Sequence, residues 1–248
     1  MHAAPQRGEL IAEKYVLGDV LGVGGMGIVY RAWHTYLDRT VALKLVRPEL
    51  DEFPHVVRRF HNEALAGSRL SHVNVASVFD SGSTTDGLPY LVMEYVRGSS
   101  LAQLVAKHGP MSLRRAADLV GQLLGALDEA HEAKVVHADV KCENVLVHER
   151  RDGTELAKLI DFGLARFLDD PSSPADGTMV SGTPEYLAPE VIAGAQPSSS
   201  SDLYAAGVIL YELIAGTTPF GGGTSDEILA RHLYEDVVPP SLRCPDRQ

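Results

Sequence analysis

Near the start of the chain, two strand-like segments enclose a run of glycines, and that order narrows the fold more than any other feature. Residues 15–21 (YVLGDVL) and 28–33 (IVYRAW) are rich in β-branched and aromatic side chains, and between them lie Gly22, Val23, Gly24, Gly25, Met26 and Gly27. The spacing G-x-G-x-x-G also marks dinucleotide-binding folds, but there the glycines open a helix. Here a second strand follows, so the glycines turn a β-hairpin. Without side chains, such a loop lets backbone N–H groups approach phosphate oxygens closely. A plain tight turn would use three spaced glycines equally well, and the loop alone leaves both roles open.

The alternating segment 40–46 (TVALKLV) reads as a third strand, with Lys44 among apolar neighbours. A lysine there is either an edge-strand charge facing water or a cation aimed into a cleft. Residues 53–70 read as a helix carrying Glu63, which is either an exposed helix acid or the inward partner of Lys44; spacing does not choose. Segments 75–80 and 90–95 complete a small sheet across the Gly-, Thr- and Asp-rich turn 81–89. From Gly98 onward the character changes to helix. Residues 101–108 form a short one, and 112–133 a long one with Ser112 as N-cap and Leu113, Ala116, Ala117, Leu119, Val120, Leu123, Leu124 and Leu127 as its apolar positions. Residues 145–147 and 156–160 read as a hairpin across Arg151, Asp152 and Gly153. Residues 164–187 lack periodicity and form a long loop, and 202–215 and 225–234 are further helices. Residues 1–12 read as a loosely ordered tail, and the low-complexity sequence is confined to the serines at 198–201. Strands followed by helices make the fold class α+β.

The loop between the long helix and the hairpin carries the chemistry. Residues 136–147 (VHADVKCENVLV) place Asp139, Lys141 and Asn144 within six positions. Aspartate takes up a proton, lysine neutralises phosphate, and asparagine offers a metal an oxygen without adding charge. Phosphoryl transfer needs those three tasks done close together, because the transferred group carries spread negative charge and the nucleophile must be aligned. By itself, a short polar run after a helix is more often a solvated turn.

Charge and composition remove other classes. The formal net charge is −11, from 33 acidic and 22 basic residues, which repels a phosphate backbone and speaks against nucleic acid as a partner. Two cysteines, Cys142 and Cys244, are too few for a disulfide framework and fit a reducing compartment. The first residues lack the apolar run of a signal peptide. No apolar stretch reaches the ~20 residues that span a bilayer, and the most apolar segment, 204–214, suits a buried helix. A cytoplasmic location is the expectation.

These pieces, in this order, resemble the eukaryotic-like protein kinases, most of all the bacterial Ser/Thr branch, in which GGMGxVY is a common glycine loop. The residues that carry the resemblance are 22–30, Lys44 in VALK, Glu63, His137 to Asn144, Asp161-Phe162-Gly163, 182–190 (GTPEYLAPE) and Asp202, and it spans from Tyr15 to about residue 235. It implies a bilobal kinase fold, with residues 1–14 as a tail, 15–96 as the N-lobe and 97–248 as a C-lobe lacking its last helices. It implies an ATP-dependent protein serine/threonine kinase using Mg2+, with Mn2+ as a substitute. Gly22, Val23, Gly24, Gly25, Met26 and Gly27 would cover the phosphates, Leu21, Val29, Ala42 and Leu146 would wall the adenine, and Met93 would be the gatekeeper before a hinge at Glu94 to Val96. Lys44 would hold the phosphates and pair with Glu63. Asp139 would orient the acceptor hydroxyl and accept its proton, and Lys141 would steady the γ-phosphate. Asn144 and Asp161 would hold the metal, with Thr183 lying against the catalytic loop. Partners implied are proteins bearing Ser or Thr, the chain itself by autophosphorylation, and a second copy as a homodimer.

Three departures from the family pattern stand out. Ala138 occupies the place of an arginine that grips an activation-loop phosphate, so this is a non-RD sequence whose activity should depend little on Thr178 or Ser181, the candidate phosphorylation sites of the activation segment. Cys142 replaces the usual proline. Next to Lys141 its thiolate would be favoured; as a small apolar residue it would be inert, and the second role is the one adopted. The chain also stops soon after the helix 225–234, so Glu190 should lack an arginine partner and the helix 202–215 should keep an apolar face uncovered, as in a fragment or a shortened gene product. Two alternatives remain beside the kinase: a nucleotide-binding pseudokinase acting as an interaction module, and a small-molecule phosphotransferase. The first gains from Ala138 and loses from the intact Lys44, Glu63, Asp139, Asn144 and Asp161; the second is opposed by the peptide-binding segment GTPEYLAPE.

Overall fold

The computed structural model describes residues 5–50, 53–168 and 182–243, so Thr178, Ser181 and Cys244 lie outside the described residues. The chain divides into two compact units: Met1–Ser71 with Ala76–Val96, and His72–Val75 with Arg97–Gln248.

The first unit is an antiparallel sheet and a helix. Its strands are β1 (Leu10–Ile11), β2 (Tyr15–Val23), β3 (Gly27–His34), β4 (Arg39–Val46), β5 (Val78–Ser83) and β6 (Pro89–Glu94), in the spatial order β1-β2-β3-β4-β6-β5. Because side chains alternate along a strand, β4 serves two cores at once. Val41, Leu43 and Leu45 pack with Tyr15, Leu17, Tyr30, Ala32 and Val92 on one face. On the other, Val46 joins Leu91 and the side chains Val56, Phe60 and Ala64 of helix α1 (Pro54–Arg69). The expected loose tail of residues 1–12 is corrected at its end. Leu10 and Ile11 pair with Val16 and Tyr15, and Ile11 is buried in the sheet's core.

Strand β5 begins three residues later than the sequence suggests, and His72 to Val75 belong to the second unit. Asn74 Nδ2 donates to Ala157 O at 2.7 Å and to Gln122 Oε1 at 2.9 Å, and Val75 bridges Leu159 in parallel. The second unit is mostly helical. Strand β7 (Ser99–Ser100) leads into α2 (Leu101–His108), which Ser100 and Gln103 close with a reciprocal capping box. The long helix α3 (Leu113–Glu132) is capped by Ser112 and buries Ala116, Leu119, Val120, Leu123, Ala126, Leu127 and Ala130, while Leu113, Ala117 and Leu124 face out. Strand β8 (Val135–Val136) follows, then the hairpin β9 (Val145–Glu149) and β10 (Glu155–Leu159), with β7 completing its sheet.

The segment expected to be loop from 164 to 187 holds, among the described residues, a strand, β11 (Arg166–Phe167), paired with β8, and a 3-10 turn at Pro184–Tyr186. Helices α4 (Pro189–Ile192), α5 (Ser199–Ala215), α6 (Ser225–Tyr234) and α7 (Pro240–Arg243) complete the described unit. Helix α5 starts at Ser199 rather than Asp202 because the serines cap it: Ser198 Oγ accepts from Ser201 N while Ser201 Oγ accepts from Ser198 N. Its apolar face is better covered than expected. Ala205, Ala206, Val208, Ile209 and Leu213 are buried, Tyr211 donates to Val238 O just before α7, and Leu203, 51% exposed, is the large apolar side chain that α5 leaves open among the described residues. Among those residues no helix is long and apolar enough to cross a membrane.

Candidate active site

In the first unit, β2 runs through Gly22 and Val23, which pair with Val29 and Ile28, and Gly24 N donates to Gly27 O at 2.9 Å to close the hairpin. Gly27 is required by space: a Cβ there would lie 2.6 Å from Leu45 O, so β3 could not pack this close to β4. Leu21 and Val23 are exposed, Gly25 is open, and Met26 packs toward α1. Lys44 sits on β4 between β3 and β6, so it is not an edge charge. Its position, two residues before Val46, aims it to the face that α1 covers. There Lys44 Nζ lies 2.7 Å from both carboxylate oxygens of Glu63, with the two residues 6% and 2% exposed. Val29, Lys44 and Leu91 stand in one register across three strands, and Ala42 stands opposite Met93. Glu94 N donates to Ser77 O at 2.8 Å, and Val96 is buried at the end of the unit.

In the second unit, one buried carboxylate shapes the loop after β8. Asp202, 2% exposed, accepts from His137 N and Ala138 N, each at 2.9 Å, and its Oδ2 lies 2.9 Å from His131 Nε2. That clamp holds Ala138 in the left-handed region at φ +63°, a conformation an alanine adopts only when its surroundings impose it. The chain thereby turns, and three polar groups converge. Lys141 Nζ donates to Asp139 Oδ2 at 2.6 Å and to Thr183 Oγ1 at 3.1 Å, and Thr183 Oγ1 is 3.5 Å from Asp139 Oδ1. Asn144 Nδ2 donates to Asp139 O at 2.8 Å, and Ile160 N donates to Asn144 O at 2.9 Å, which brings the end of β10 beside the loop. Asp161 follows at φ +62° with its Oδ1 accepting from Gly163 N at 3.3 Å, and the Phe162 ring lies 4.7 Å from that of His137. Leu146 stands on β9 opposite Lys158 and Ser100.

The donor set fits a hard divalent cation. With Nδ2 of Asn144 turned to Asp139, the amide oxygen is the atom left for a metal, and Asp161 adds a carboxylate; such ions prefer oxygen and keep waters and phosphate oxygens as their other ligands. Accordingly no cluster of three or more His, Cys, Asp or Glu is needed, and none occurs among the described residues.

Sequence reasoning passed over several contributors. Asp202 was matched only as part of a motif, and its hold on the loop, with that of His131, depends on α3 and α5 meeting in space. The Cys142–Glu212 pair was also missed. Cys142 is 0% exposed, its thiol donates to Glu212 Oε2 at 3.1 Å, and burial, followed by the charge of Glu212, pushes the thiol far up. A buried thiol that donates to Glu212 agrees with the unreactive role adopted for Cys142 rather than with a thiolate beside Lys141. Glu190 is exposed and has no ion pair among the described residues.

A family model described as the protein kinase domain matches residues 15–242. The chain belongs to the protein kinase domain family. Similar kinases include serine/threonine-protein kinase pkn3 of Myxococcus xanthus, 42% identical over 96% of this chain and 44% of that protein. PknB of Mycobacterium leprae is 38% identical over 94% of this chain and 37% of its own length, and PknB of Mycolicibacterium smegmatis 38% over 95% and 38%. This kinase chain therefore spans less than half the length of the curated relatives it matches. Its α+β architecture, a strand-rich unit with one main helix and a mainly helical unit, is the kinase fold.

Proposed function

We propose that this chain is an ATP-dependent protein serine/threonine kinase. The observation that carries the proposal is the Asp139 carboxylate, held by Lys141 and Asn144 and faced by Thr183. The names of its relatives point the same way. Asp139 orients the acceptor hydroxyl and takes its proton as the new O–P bond forms and the bond from the γ-phosphorus to the leaving ADP oxygen breaks. Lys141, within reach of both Asp139 and Thr183, offsets charge on the transferred group. Lys44, locked by Glu63, holds the other phosphates, and the hairpin from Gly22 to Gly27 offers backbone N–H groups to them. Within the first unit, Leu21, Val29, Ala42 and Met93 line the adenine, and Glu94 to Val96 supply its hydrogen bonds. A divalent cation, Mg2+ first and Mn2+ as a substitute, neutralises phosphate charge when bound; Asn144 and Asp161 are the residues that would hold it. Positioning and electrostatics of this kind supply nearly all the catalysis in phosphoryl transfer.

The test is transfer of label from γ-labelled ATP to acidic, neutral and basic protein substrates and to the chain itself, followed by phosphoamino-acid analysis. Phosphoserine or phosphothreonine is expected. Label on tyrosine alone, on small molecules alone, or nowhere would overturn the proposal.

A further inference from the structure

Behind the triangle of Asp139, Lys141 and Thr183 lies a second meeting of the same two segments. Glu212 on α5 accepts two hydrogen bonds at one oxygen: from the Tyr186 hydroxyl at 2.5 Å and from the Cys142 thiol at 3.1 Å. Both donors are buried. Each is also covalently close to the site. Cys142 directly follows Lys141 and opens the turn that ends at Asn144. Tyr186 N donates to Thr183 O at 3.0 Å, closing the turn that Thr183 caps.

A buried cysteine is ordinarily an apolar filler. At this position it is more, because its proton is directed at a carboxylate, and bonds to an ionised acceptor are about twice as strong as neutral ones. An apolar side chain here would leave Glu212 one donor short. We propose that Cys142 is a positioning residue for the acceptor side of the reaction: by donating to the Glu212 oxygen that also receives Tyr186, it fixes Lys141 and Thr183 relative to Asp139. This rests on the kinase function proposed above.

Cys142→Ala removes the donor, Cys142→Ser keeps one, and Tyr186→Phe removes the other donor without opening a large cavity. Steady-state kinetics in ATP and in a protein substrate are compared with amide hydrogen exchange over residues 182–188. C142A and Y186F should lower kcat/KM for the protein substrate roughly tenfold while the KM for ATP stays within about twofold, and C142S should recover most of the loss. Exchange over 182–188 should quicken in C142A and Y186F and stay at the wild-type level in C142S. The proposal is overturned if C142S behaves as C142A, if both Michaelis constants move together, or if exchange over 182–188 is unchanged in C142A. A wild-type chain that transfers no phosphate would remove the kinase function instead, and the exchange comparison would then decide the positioning contact by itself. Should C142A fail to fold, C142S and Y186F carry the comparison.

Discussion

Lys44 and Glu63 show what a single residue's surroundings do to a prediction. Their ion pair is buried, so removing one side takes a 2.7 Å contact from the remaining buried charge, which costs about 3 kcal/mol. A Lys44→Met variant should therefore lose transfer and also melt several degrees lower. Adding Glu63→Gln should return much of the melting temperature and none of the activity; a double variant that regains transfer would contradict the role given to Lys44. The pairing was undecidable from spacing, since it depends on which face of β4 meets α1. At Ala138 the sequence was plainer. A methyl group has no charge with which to hold a phosphate, so Thr178→Ala and Ser181→Ala, singly or together, should leave the transfer rate within about threefold of wild type. Loss of activity in the double variant would show that the chain depends on activation-segment phosphorylation after all.

At the scale of elements, α6 meets the turn Pro184–Tyr186 and helix α5 through a buried histidine. His232 Nδ1 lies 2.7 Å from the Tyr204 hydroxyl, its ring packs edge-on to Phe220, and its Nε2 makes no hydrogen bond among the described residues. Burial lowers its pKa from the ordinary histidine value, and the Glu185 backbone and carboxylate only partly oppose the shift. The folded state therefore binds fewer protons at this site than the unfolded chain just below pH 6.5. Stability contributed by neutral His232 is complete above that pH and is lost as the pH falls through the lower, folded value. Melting curves between pH 7.5 and 5 should fall more steeply for wild type than for His232→Gln; parallel curves would count against the assignment. Most elements were legible from periodicity and caps, including α2, α3 and the β9–β10 hairpin. The exceptions are those made by pairing and capping rather than by hydrophobic period: β1 exists because Tyr15 and Val16 are there to pair with, β11 because β8 is, and the early start of α5 because Ser198 and Ser201 cap each other.

For the whole molecule, the kinase motifs could be read in order from the sequence because each is a local pattern of glycine, charge and strand or helix period. What joins them was not legible, since a carboxylate such as Asp202 acts on backbone 64 and 65 residues away. The function proposed for the molecule comes down to one carboxylate. The most direct measurement is the rate of phosphate transfer from ATP to a protein substrate by wild type and Asp139→Asn side by side, with the thermal shift produced by ATP and Mg2+ recorded for both. Loss of about 100-fold or more in kcat, with the nucleotide-induced shift retained, is the predicted result. Equal rates in the two proteins would contradict the account.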